Sequence, residues 1–88
     1  MKIEWEENDN FCGMRVVIHG KENEEWIVTW TNHPVDKFAD LDTVYGLTSA
    51  LDGMTVYWGD RKALAQRLND DGFIPVDRRE GLYLKRST

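Results

Sequence analysis

Residues 54–73 read MTVYWGDRKALAQRLNDDGF, and this stretch decides how the rest of the chain is understood. Met54 to Trp58 is a short run of β-branched and aromatic residues, the composition of a strand. Gly59-Asp60 makes a tight turn, and Asp60 is placed to cap the helix that follows. Ala63, Leu64 and Leu68 recur at helical spacing and mark a buried stripe, while Arg61, Lys62, Gln66 and Arg67 take the wet face. Gly72 stands where a left-handed residue stops a helix, and Phe73 is placed for the accompanying apolar contact. Asp70 and Asp71 sit at the end that the helix dipole disfavours for acids, so the glycine defines that end.

Upstream, the spacing predicts an antiparallel meander of three strands. Residues 2–6 alternate, with Ile3 and Trp5 on one side and Lys2, Glu4 and Glu6 on the other. Glu7 to Asn10 is turn chemistry. Residues 12–19 form a second strand, with Met14, Val16 and Ile18 facing one way and Arg15, Val17 and His19 the other. A polar loop over 20–24 leads to a third strand over 25–31, in which Trp26, Val28 and Trp30 share a face. Pro34 ends it. Between Pro34 and the opening stretch, Val44, Leu47 and Leu51 lie at helical spacing, with Asp40 or Asp42 as cap and Gly53 as stop, against Gly46 and several β-branched residues inside the segment. The spacing predicts a helix over 41–51.

Downstream, residues 73–76 form a short strand that Pro75 assigns to a sheet edge. Residues 77–81 read as a hairpin loop and residues 82–86 as a last strand. The expected fold is therefore a single α+β domain over 1–88, a mainly antiparallel sheet with two helices in the order βββ-α-β-α-ββ. A parallel pairing of the strands flanking the second helix would require a right-handed crossover.

Eighty-eight residues with 41% hydrophobic content and ten aromatics can bury one core and no more. The single Cys12 excludes an internal disulfide. The opening MKIEWEENDN lacks the apolar run of a signal peptide, and no segment is long and apolar enough to span a bilayer, so a reducing, cytoplasmic setting is expected. The net charge of −5 is unevenly placed: residues 1–53 carry −7 and residues 54–88 carry +2.

None of the spacings that mark catalysis or metal binding is present. Cys12, His19 and His33 are scattered, without C-x-x-C or H-x-x-x-H. Asp40-Leu41-Asp42 opens like a calcium loop, but Val44 and Tyr45 occupy later ligand and glycine positions. Cys12 has no evident source of thiolate stabilisation, and Gly59 stands alone where a phosphate loop needs several glycines. No cofactor and no enzymatic activity are expected, and an enzyme of unassigned reaction ranks third among the function classes.

Two binding readings remain. The leading one is an acidic protein–protein interaction module, an inhibitor, adaptor or regulator that docks on a basic partner protein through Glu4, Glu6, Glu22, Glu24 and Glu25 with Trp26 and Trp30 as aromatic anchors. One form of it would occlude a partner's nucleic-acid-binding site. The alternative is direct nucleic-acid binding through Arg61, Lys62 and Arg67 of the helix with Arg78 and Arg79 of the following hairpin, although an acidic chain is poorly suited to phosphate.

Overall fold

A computed structural model describes residues 4–8 and 10–76 of the chain. They form a five-stranded, wholly antiparallel sheet with one α-helix, an α+β fold. The elements are β1 (Arg15–Ile18), β2 (Lys21–Thr31), a 3₁₀ turn (Asp36–Phe38), β3 (Val44–Ser49), β4 (Thr55–Gly59), α1 (Arg61–Asp71) and β5 (Phe73–Pro75). Across the sheet the order is β4-β3-β2-β1-β5. The helix thus carries the chain from one edge to the other. β4 and β5 run in the same direction but lie four positions apart, so they do not pair.

The opening stretch folds as its residues dictate. The Asp60 carboxylate accepts the Ala63 N–H at 2.8 Å. Gly72 adopts φ +76°, and its N–H reaches the Asn69 and Leu68 carbonyls. Leu64, Ala65 and Leu68 are buried against one face of the sheet. The ill-placed acids of the last turn are offset by partners one turn back, Gln66 donating to Asp70 at 2.9 Å and Arg67 lying 3.6 Å from Asp71.

Three expectations are corrected. The segment expected to be helical over 41–51 is the strand β3, so the domain has one helix among the described residues rather than two, and the order βββ-α-β-α-ββ does not hold. The helical stripe of Val44, Leu47 and Leu51 is overridden by pairing on both sides: Trp30↔Tyr45 and Val28↔Leu47 with β2, Leu47↔Val56 and Thr48↔Thr55 with β4. Gly46, a liability in a helix, is needed in the strand. A Cβ there would run into the Val56 carbonyl oxygen and lie 2.9 Å from Tyr57 Cα.

Glu4, Trp5 and Glu6, expected in a first strand, are not in a strand. The Trp5 backbone is instead satisfied by a side chain of α1: its N–H donates to Asn69 Oδ1 at 2.7 Å, and its carbonyl accepts from Asn69 Nδ2 at 2.8 Å. The Trp5 indole, 5% exposed, donates to the Phe73 carbonyl at 2.8 Å. Finally, the loop expected over 20–24 is largely strand. The turn between β1 and β2 tightens to His19-Gly20, with Gly20 at φ +88°, and β2 starts at Lys21. The hairpin and strand expected over 77–86 lie outside the described residues.

The main core lies between α1 and one sheet face. Val16, Val28 and Leu47 meet Leu64 and Leu68 there, with Trp5, Phe11 and Tyr45 closing one side in edge-to-face contacts at 5.8 and 6.4 Å between ring centres. The face turned away from the helix carries Val17, Ile74 and Val76 at its β5 side. On its β4 side a row of hydroxyls joins three strands, Thr48 standing 2.7 Å from both Thr29 and Thr55.

Candidate functional site

Two shallow grooves take in three of the five acidic residues that the sequence marks as a binding surface, Glu6 in one and Glu22 and Glu25 in the other. One, of about 450 Å3, runs between the N-terminal segment and α1 and contains Trp5, Glu6, Glu7, Lys62 and Gln66. The other, of about 190 Å3, lies on the helix-free face, where Val17, Ile74, Pro75 and Val76 stand beside Glu22 and Glu25. The second combines an apolar floor with a carboxylate rim, and it is the stronger candidate.

Its geometry follows from the β1–β2 hairpin. Alternation puts Met14, Val16 and Ile18 toward the helix and Val17 on the opposite face, where β5 pairs beside it as Val17↔Ile74. The ladder between β1 and β2 is regular at Arg15↔Ile27 and Val16↔Trp26, then shifts, resuming at Ile18↔Lys21. The shift brings Glu22 and Glu25 to the same groove. Glu22 accepts the Gly20 N–H at 3.1 Å. That bond, with a second backbone bond and the neighbouring His19 at 3.8 Å, holds the Glu22 carboxyl below the usual range. Glu25 lies 3.4 Å from Arg15, a surface pair with half-exposed partners and a contribution of about 1 kcal/mol at most. Glu24 is exposed on the same strand.

The remaining residues of the expected partner surface are placed elsewhere. Glu4 and Glu6 are exposed on the N-terminal segment, Glu6 in the groove along α1. Trp26 is half-buried against the main core, on the helix side of the sheet, and Trp30 on that side is 45% exposed. Neither tryptophan shares the face of the Glu22–Glu25 groove. Val17, Ile74 and Val76, which the sequence reading left out of the site, form its floor. The signal for Val17 was its parity, opposite to the core-facing residues of the same strand.

The cations of the nucleic-acid reading are placed as follows. Arg61 donates to the Tyr45 hydroxyl at 3.2 Å with its guanidinium 5.7 Å from the ring centre, and this bond raises its pKa. Arg67 stacks on Trp58 at 4.2 Å and pairs with Asp71. Lys62 lines the groove along α1, and Arg78 and Arg79 lie outside the described residues.

Among the described residues, no three of His, Cys, Asp and Glu are grouped so as to hold a metal ion. Cys12 is exposed and free. No helix among them is long and apolar enough to cross a membrane. Comparison of the chain with protein-family models, curated proteins and solved structures finds no match in any of the three.

Proposed function

We propose that this chain is a protein-binding module, with no chemistry of its own, that acts as an inhibitor, adaptor or regulator by docking on a basic partner protein. The observation that carries the reading is the helix-free groove in which Val17, Ile74 and Val76 lie beside Glu22 and Glu25. Exposed carboxylates next to a small apolar floor suit a segment that presents Lys or Arg beside an aliphatic side chain. The charges steer the encounter and the apolar contact holds it. Glu24 adds a further exposed carboxylate on β2. A reducing, cytoplasmic setting belongs to the same reading and rests on the lone cysteine.

The test is capture from an extract of the source cells on immobilised protein, compared with the triple variant Glu22→Lys, Glu24→Lys, Glu25→Lys. The wild type should retain a partner at low ionic strength and release it at about 0.5 M salt, where exposed charges are screened beyond roughly 4–5 Å. The variant should retain none of it. A partner that the variant holds as tightly, or that persists unchanged at high salt, would refute the acidic docking surface.

A further inference from the structure

Among the described residues the two edges of the sheet are built differently, and only one of them carries a proline. β5 is three residues long and ends in Pro75, both devices that block further pairing. β4 at the other edge reads Thr-Val-Tyr-Trp-Gly, without a charge or a proline. Its outward groups follow from its pairing with β3. The Met54 carbonyl accepts the Ser49 N–H at 2.8 Å, so Met54 and Val56 turn their backbone groups inward, while Thr55 and Tyr57 turn theirs to the open edge. The 2.7 Å contact between the Thr48 and Thr55 hydroxyls fits the closer, non-hydrogen-bonded pair that this pattern requires. The bulge opposite Tyr45 and Gly46 disturbs only the Gly59 end.

The exposed apolar surface gathers at the same place. Of the four large hydrophobic residues exposed among those described, three are Leu51, Met54 and Val56, at 74%, 65% and 43% exposure, in or beside β4.

We infer that β4 pairs antiparallel with β4 of a second copy of this chain about a two-fold axis at Val56, continuing the two sheets as one. The register is set by the outward groups. Thr55 and Tyr57 of one copy exchange backbone hydrogen bonds with Tyr57 and Thr55 of the other, four bonds in all by symmetry. On the helix side Val56 then stands opposite its own equivalent, and Met54 opposite Trp58. The occupant is a second copy because the edge is self-complementary and neutral. Each chain carries −5, and copies that approach through the acidic hairpin repel, whereas β4 itself carries no charge, and the like charges that this register sets opposite each other, Asp52 and Asp60, lie beyond its ends.

Sedimentation equilibrium over a concentration series to about 1 mM tests this, and added salt should strengthen the dimer by screening repulsion between two acidic copies. That salt response is opposite to the one expected for the docking groove, so the two readings fail independently. Val56→Lys, at an exposed position, should leave the circular dichroism unchanged and abolish the dimer. Register is tested on a Cys12→Ser background: Val56→Cys should form an intermolecular disulfide on oxidation, because non-hydrogen-bonded antiparallel partners bring their Cα atoms to about 4.5 Å. Leu51→Cys, far from the axis, should not. A monomeric mass at the highest concentration, a dimer that Val56→Lys retains, or equal cross-linking at residues 51 and 56 would overturn the proposal.

Discussion

Gly46→Ala gives opposite signs for the two conformations that the 41–51 segment could adopt. In the interior of a helix, replacing glycine by alanine stabilises by about 1 kcal/mol, because alanine is the better helix former. In β3 as it stands, the new methyl would overlap the Val56 carbonyl oxygen and lie 2.9 Å from both Val56 C and Tyr57 Cα. All three are backbone atoms of β4, so no rotamer change relieves the clash. β3 and β4 must separate, weakening the ladder from Tyr45↔Gly59 to Thr48↔Thr55. Overpacking of this kind costs about 1–3 kcal/mol, and the upper end applies where the obstacle is main chain. With a urea m-value of about 1 kcal/mol/M for so small a domain, the midpoint should fall by roughly 2–3 M. Urea unfolding followed by tryptophan fluorescence reads this directly, since Trp58 lies in the displaced strand. An unchanged or raised midpoint would refute the account of β3 as a central strand pressed against β4.

Two further outcomes follow from the hairpin and the N-terminal segment. Asn69→Ala removes both hydrogen bonds to the Trp5 main chain, a loss of about 1–3 kcal/mol; Trp5 emission should shift to the red and its quenching by iodide rise, and an unshifted spectrum would count against the clamp. The Glu22 carboxyl is held below its ordinary value, so its contribution to the hairpin turn is present above the unfolded-state pKa of about 4.3 and is lost as pH falls through the lower folded value. The Gly20 amide resonance should titrate with that lower midpoint and stop titrating in Glu22→Gln; a midpoint at or above the ordinary glutamate range would contradict it.

Local signals determined the part of the chain whose structure depends on near neighbours. Asp60, the Leu64–Leu68 spacing and Gly72 bound a helix through contacts within a few residues, and the structure keeps all three. Alternation over 14–18 and 26–30 likewise sorted the residues of β1 and β2 into two faces, because a strand's period of two needs no partner to be visible, but it did not say which face the helix covers. The carboxylates of the hairpin, too, were legible as residues, though not the groove they border.

Tertiary structure decided the rest. The 41–51 segment carries both a helical stripe and strand-forming residues, and neither settles it locally. What selects the strand is a partner on each side, together with a glycine whose missing side chain lets β4 approach. Trp5 alternates like a strand residue, yet its backbone finds Asn69, 64 positions away in sequence, in place of a neighbouring strand. The groove beneath Glu22 and Glu25 exists only because α1 carries the chain across the sheet and sets Ile74 beside Val17. Sequence patterns report what a residue does among its neighbours; which distant surfaces meet depends on how the whole set of strands and the helix can bury their apolar sides at once.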